Sequence, residues 1–263
     1  MTIGVLAVLG LVMGSFITAL VDRLHDGRDW VKGRSSCDSC KKTLAARDLV
    51  PVLSWLSSAG KCRQCKQKIS WQYPIIELVT GALFVISYLA WPTDIVGFQQ
   101  AKFTIWLITL VGLIALSVYD LRWFIIPNRI IYPLIALMTA VIAVESVFYG
   151  GGPALVRDSV LGLLACGGLF YVLFQVSGGR WIGGGDVKLG FLLGMLAGGV
   201  FESLMLVMLA SVIGLVFSLP LILTKKLGPK SQIPFGPVLV VAGIVIFLAG
   251  ESIVDWYLNG VIS

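Results

Sequence analysis

Histidine is almost missing from this chain: His25, in "DRLHDG", is the single one among 263 residues. One histidine excludes a multi-histidine metal centre, and a residue in so polar a stretch reads as a solvated loop side chain rather than the base of a Ser–His or Cys–His pair. Charge is scarce too. Asp, Glu, Lys and Arg make up 13% of the residues, against roughly 25% in a soluble domain. There is no G-x-S-x-G elbow, no Walker loop and no Rossmann fingerprint. Acyl-serine chemistry, nucleotide hydrolysis and hydride transfer are therefore without support.

What fills the sequence instead is apolar: 57% hydrophobic residues and a mean hydropathy of +0.93. This composition predicts an all-α polytopic membrane protein with about eight transmembrane helices, at residues 3–21, 74–91, 103–119, 129–149, 154–176, 187–199, 201–223 and 235–258, since a helix needs about 20 residues to cross the hydrocarbon. The sixth is short and ends at Gly198-Gly199, so a half-helix or re-entrant turn is the alternative there. The chain divides into a first transmembrane helix (1–21), a polar module (22–73) and a membrane core (74–263). The first span has no Lys or Arg before it and no clear cleavage site, which predicts an uncleaved helix rather than a signal peptide.

Basic residues orient the spans. Segment 22–73 holds 11 Lys and Arg, and Arg122, Arg129, Arg180, Lys188, Lys225, Lys226 and Lys230 fall on the same side, leaving Lys102 and Arg157 opposite. The positive-inside rule then puts the N-terminus outside and the polar module in the cytoplasm. The net charge of +6 follows from this topology and from a face lying against anionic lipid. It does not call for nucleic acid.

The polar module carries "CDSC" (Cys37, Cys40) and "GKCRQC" (Cys62, Cys65), two C-x-x-C pairs separated by 21 residues. The pattern is that of a zinc ribbon, slightly beyond the usual spacing of roughly 15–20. Four thiolates satisfy tetrahedral zinc and leave no open position, so such a site is structural. Disulfides or unligated thiols are the alternatives, and a reducing cytoplasm argues against the first. A segment of about 50 residues has little core of its own and gains from a metal staple. Cys166 stands alone in the fifth span and reads as a small packing residue.

The 14 acids sort by this topology. Five lie in the cysteine module. Asp94, Glu145, Asp158, Glu202, Glu251 and Asp255 lie on outer loops or span ends. Glu77, Asp120 and Asp186 remain. Asp120 ends the third span and Asp186 begins the sixth, so both fall at one depth on the cytoplasmic side. Two carboxylates that approach cannot both ionise easily, and the pair titrates as a unit. The protonated member can polarise a peptide carbonyl while the ionised one activates water. Gly183, Gly184 and Gly185, just before Asp186, have no Cβ and can let an extended substrate strand lie against the backbone. Asp186 as a plain helix N-cap is the competing reading. Glu77 begins the second span, either to meet a substrate cation or to complement the helix dipole. A proton-coupled transporter would also use intramembrane acids and glycine-broken helices, but it has no use for the cysteine module.

Several of these stretches resemble the type 4 prepilin peptidase family, membrane aspartic proteases of the G-x-G-D kind. Gly183, Gly185, Asp186 and Lys188 fit G-x-G-D-x-K. Asp120 with Ile126-Pro127 fits D-x-x-x-x-x-I-P. "GSFITALVDRL" is similar to the family's G-S-F-x-N stretch, with Thr18 where Asn is usual. The cysteine module is similar along its length, and so is "IPFGP", Ile233 to Pro237. The resemblance implies an endopeptidase of the bacterial cytoplasmic membrane that removes the leader from type IV prepilin or pseudopilin precursors, with Asp120 and Asp186 catalytic. Gly183–Gly185, Lys188 and Glu77 are the candidate substrate contacts, and Pro234 and Pro237, with Phe235 and Gly236 between them, either shape a substrate groove or simply start the eighth span. Family members with a cysteine domain often also N-methylate the new N-terminus with S-adenosylmethionine.

Overall fold

The computed structural model describes residues 1–29, 33–37, 39–224 and 234–261. Lys225, Lys226, Lys230 and Ile233 lie outside the described residues, as do the side chains of Glu251 and Asp255. The described residues are helical apart from turns and two isolated β-bridges. The chain separates into two compact units, Met1–Trp91 and Pro92–Ser263.

The first unit is a helical hairpin carrying the polar module between its arms. Helix α1 (Thr2–His25) and helix α3 (Gln72–Leu89) are its arms, and the five-residue α2 (Leu53–Ser57) lies in the module. A 24-residue helix is about 36 Å long, enough to cross the hydrocarbon. The arms run antiparallel in van der Waals contact: a Cβ on Gly10 would lie 2.7 Å from the Gly81 Cα, and one on Gly14 would lie 2.5 Å from the Glu77 Cα. Two glycines four apart on α1 thus let the backbones close, which is how helices associate where lipid removes the hydrophobic drive. The glycine of "GSF" is a packing residue. Thr18, one turn on, is buried and donates its hydroxyl to the Ser15 carbonyl.

The second unit holds helices α4 (Phe98–Trp123), α5 (Asn128–Phe148), α6 (Gly152–Leu163), α7 (Leu169–Ser177), α8 (Gly184–Ala197), α9 (Val200–Leu223) and α10 (Gly236–Val261). A π turn, Leu164–Gly168, joins α6 to α7, and Cys166 lies fully buried within it. The core belongs to α4 and α8: Leu110, Leu113, Ala115 and Leu116 on one, Leu189, Leu192 and Leu193 on the other, all 0–1% exposed. Helices buried all round need no polar stripe, and neither has one. Gly162 of α6 and Gly194 of α8 bring those two backbones together, with no room for a side chain on either. The start of α4 is tied to the end of α5 by Lys102 and Glu145, 2.7 Å apart.

Among the described residues, six helical segments are long and apolar enough to cross a membrane: Thr2–His25, Gln72–Leu89, Phe98–Trp123, Asn128–Phe148, Gly152–Ser177 and Val200–Pro220. Gly236–Gly250 is a shorter apolar stretch within α10. The expected count of eight is not confirmed. The sixth expected span is α8, whose 14 residues cover about 21 Å, short of the hydrocarbon thickness of about 30 Å. It ends at Gly198, with φ of 79°, and α9 begins at Val200.

The Gly14 contact yields a test. A Cβ there meets backbone, not a flexible side-chain end, so Gly14→Leu forces α1 and α3 apart. Overpacking of this kind costs about 1–3 kcal/mol or more. The variant should melt well below the wild type in detergent, whereas Gly4→Leu, whose Cβ meets nothing within 4 Å, should not.

Candidate active site and metal centre

Asp120 and Asp186 are brought together within the second unit. Asp120 lies in the last turn of α4 and is 6% exposed. Its Oδ2 accepts a hydrogen bond of 3.1 Å from the backbone N–H of Gly236, the first residue of α10. The positive end of that helix therefore faces the Asp120 carboxylate. A Cβ at Gly236 would stand 2.7 Å from Oδ2, so any larger residue there displaces the Asp120 carboxylate. Phe235 precedes it, stacks edge-on against Phe170 at 6.1 Å, and gives its carbonyl to the Leu239 N–H, so it starts α10. Pro237 occupies the first turn, where its missing N–H costs nothing, and Pro234 lies just outside the helix.

Asp186 sits in the first turn of α8, which is not one of the six spans. It is the third residue of the helix, and the N-cap is Gly183. Its Oδ2 accepts from the Gly183 N–H at 3.2 Å, the reach-back half of a capping box. Burial pushes the Asp186 carboxyl up to about 6, and the negative charge of Asp120 adds to the rise, against the Gly183 N–H.

The glycine triplet divides its work. A Cβ on Gly185 would lie 3.0 Å from the Ile126 side chain, so this residue is occupied by packing. A Cβ on Gly184 would make only ordinary contacts, with Phe174 at 3.7 Å, and one on Gly183 would meet only the Asp186 carboxylate and the Gly185 nitrogen. Open backbone is thus at Gly183 and Gly184. Ile126 also approaches Gly236, where a Cβ would lie 3.4 Å from its Cδ1. The buried Ile126 side chain is a spacer between the starts of α8 and α10. Lys188, two residues beyond Asp186, donates to Asn128 Oδ1 at 2.8 Å and lies 5.4 Å from the centre of the Tyr132 ring. The sequence points to Asp120, Gly236, Ile126 and Lys188 as members of motifs, but not to the backbone bond or the Asn128 partner that join them.

In the first unit, Cys37, Cys40, Cys62 and Cys65 converge, with all four Sγ atoms within 4.8 Å of one another. The Cys37 and Cys65 sulfurs are 3.8 Å apart. A tetrahedron with metal–sulfur bonds of about 2.3 Å has edges of about 3.8 Å, so the set fits a four-coordinate ion; a disulfide would need about 2.05 Å. Two matching turns build it. Lys41 N–H donates to the Cys37 carbonyl and Cys37 N–H to Lys42, while Lys66 N–H donates to Cys62 and Cys62 N–H to Gln67. Lys41 and Lys66 take left-handed φ values of 56° and 61°. The backbone N–H groups of Cys65 and Gln64 hold the Cys62 thiol down at about 6. Cys65 is drawn down by the Gln67 N–H, yet burial and the neighbouring thiols push it up to about 11.

Glu77 lies in the same unit. It is 7% exposed, and its Oε2 accepts from the Val52 N–H at 2.7 Å, with Ser15 as a further side-chain partner. Val52 has φ of 60°, an uncommon place for a β-branched residue. The carboxylate holds the module's strained backbone against the helical hairpin.

Two family models match the chain: the Bacterial Peptidase A24 N-terminal domain over residues 8–91 and the Type IV leader peptidase family over residues 107–219. A prepilin leader peptidase/N-methyltransferase of Bacillus subtilis (strain 168) is 32% identical, with 98% of each chain covered. A protein of the same name from Stutzerimonas stutzeri is 31% identical over 96% of this chain and 92% of its own. A type 4 prepilin-like proteins leader peptide-processing enzyme of Escherichia coli O78:H11 is 32% identical over 89% of each. No solved structure matches.

The raised Asp186 carboxyl gives a measurable sign. A carboxyl higher in the folded state than its ordinary 3.8 stabilises the fold when protonated, and that stability is lost as pH rises from about 4 through about 6. Asn at 186 is neutral and can still accept from Gly183. The stability of Asp186→Asn relative to wild type should rise between pH 4 and pH 7.5, on the order of 2 kcal/mol, as read by paired melting curves. A flat difference would contradict the burial of this carboxyl.

Proposed function

Because this chain belongs to the type IV leader peptidase family, we propose that Asp120 and Asp186 form the catalytic pair of an endopeptidase that removes the leader of type IV prepilin-like precursors. The observation that carries the reading is that these two acids meet at the end of one helix and the start of another, Asp120 near enough to act on Asp186 by its charge, with open glycine backbone beside Asp186.

The scissile peptide extends along Gly183 and Gly184, with its carbonyl carbon beside a water held between the carboxyls. Asp186, its carboxyl raised to about 6, is the member that holds the proton and gives it to the carbonyl oxygen. Asp120, kept in place by the Gly236 N–H, takes a proton from the water as its oxygen attacks. The tetrahedral intermediate collapses: the C–N bond breaks, the proton on Asp120 passes to the departing amine, and a hydroxyl of the diol returns its proton to Asp186 as the carbonyl re-forms. Pro234, Phe235 and Pro237 border this position through the start of α10, and Lys188 through α8. The excess of Lys and Arg on one side supports a cytoplasmic site, an N-terminus outside and cleavage just before the precursor's hydrophobic segment. A leader rich in basic residues is not drawn by bulk charge to so basic a face, so recognition rests on local contacts.

The four cysteines would hold zinc, which would supply a fixed tetrahedral junction and no reaction step. S-adenosylmethionine, the methyl donor of related enzymes, does not fit the first unit's cleft lined by Lys61 and Lys68: among the described residues it carries no carboxylate, and two ammonium groups are the wrong charge for a sulfonium.

Asp120→Asn and Asp186→Asn should each reduce cleavage of a prepilin peptide by purified protein by at least about 10²-fold, while membrane insertion is unchanged. Normal processing by either would end this reading. Mass spectrometry of the product's N-terminus reports the cut and any added methyl together. Metal analysis of protein purified without air should find one zinc per chain, and Cys37→Ser or Cys65→Ser should remove most of it. Metal-free protein with four reduced thiols would overturn the zinc assignment.

A further inference from the structure

The first unit contains a cleft of about 570 Å³ that neither peptide cleavage nor the cysteine site uses. Trp55, Gly60, Lys61, Lys68, Trp71 and Ile75 are among its lining residues. The cleft is built, not incidental. The Trp55 indole donates to the Ile69 carbonyl at 3.3 Å, which fixes its ring. Gly60 has φ of +64° and lies under that ring, with space for a Cβ only 2.7 Å from it. Trp71 leans on Trp55 with ring centres 4.1 Å apart and planes at 50°, yet remains 67% exposed.

The two lysines are the informative pair. They face each other across an antiparallel bridge. The flanking bonds, Cys62 N–H to the Gln67 carbonyl and Ile69 N–H to the Gly60 carbonyl, make this the pairing without mutual hydrogen bonds, in which side chains approach most closely. Like charges directly opposite each other destabilise a strand pair. Among the described residues, no carboxylate lines the cleft to offset them. Arg63, nearby in sequence, is paired with Asp48 at 2.9 Å. The position is informative as well. Trp71 immediately precedes α3, one of the six membrane-length helices, so the cleft lies at headgroup level, where tryptophan is enriched. Ile75, in the first turn of α3, is 52% exposed, and Leu53 and Leu56 of α2 are 63% and 59% exposed.

We propose that this cleft binds the phosphate headgroup of an anionic phospholipid, seating the four-cysteine module on the bilayer surface. The two ammonium groups take the phosphate, the tryptophan pair packs on the glycerol region, and an acyl chain follows Ile75 along α3.

The test is native mass spectrometry of the full-length protein titrated with phosphatidylglycerol in detergent. Lys61→Gln/Lys68→Gln should weaken retention of one lipid by at least about tenfold. Lys61→Arg/Lys68→Arg should keep it, and so should Lys41→Gln/Lys42→Gln, which removes the same charge from the other cysteine turn. Trp71→Ala, which deletes a mostly exposed ring, should also weaken it and serves if the glutamine pair fails to fold. Equal retention by the glutamine pair and by Trp71→Ala would overturn the proposal. So would equal binding of phosphatidylcholine, a loss as large in the control pair, or displacement by inorganic phosphate, which would mark a free-anion site.

Discussion

One hydrogen bond fixes the second unit's chemistry: the Gly236 N–H to the Asp120 carboxylate. It joins the end of α4 to the start of α10 across 116 residues of sequence and is made inside a site with no room for a side chain at 236. Three motifs that are far apart in sequence depend on it. The "FGP" stretch supplies the donor, the aspartate of α4 the acceptor, and the isoleucine of "IIPN" fills the space between Gly236 and Gly185. Removing any one member alters the spacing of the other two. Burying a carboxylate is costly unless hydrogen bonds replace its water, so the bond is also what makes Asp120 tolerable at this position.

Much of this was legible in the sequence, and the exceptions share a cause. Apolar runs marked the spans because lipid exposure demands them, and the paired C-x-x-C spacing marked the metal set because four sulfurs must reach one point. Depth was harder. Hydropathy reports what a residue touches, not how far a helix travels, so α8, apolar because it is buried in protein, resembled a full span. Asp186 was open to reading as an N-cap, but that place belongs to Gly183 and the aspartate reaches back from the third position. Backbone donors left no trace: nothing about Gly236 or Val52 announces that its N–H holds a buried carboxylate. The glycines of the triplet looked equivalent, yet Gly185 packs on Ile126 while Gly184 remains open.

The first unit solves a different problem with the same means. Its module exposes Leu49, Val50, Leu53 and Leu56 and buries little apolar side chain beyond Cys62. A core of that size cannot offset the ordering of some 50 residues. Three attachments stand in for it: the four-sulfur cluster, the indole bond from Trp55 to Ile69, and Glu77 on the Val52 N–H. The last reaches from the helical hairpin into the module. It explains why Gly14 must bring α1 so close to Glu77, because Ser15, the next residue, is a partner of the same carboxylate. A left-handed valine persists only where its surroundings over-determine it, and here the buried acid does so.

The placement of the two aspartates follows from these constraints together. A carboxylate in mid-membrane would need a partner charge, and an aspartate in a polar loop would be ionised and far from any buried peptide. Helix ends avoid both costs. At the end of α4 and in the first turn of α8, each carboxylate has a backbone N–H within reach, from Gly236 and from Gly183. Asp186 is close enough to Asp120 to feel its charge. An α8 extended by a further turn at its start would carry Gly183 into the helix, and the N–H that now serves the Asp186 carboxylate would be taken up by a backbone carbonyl instead.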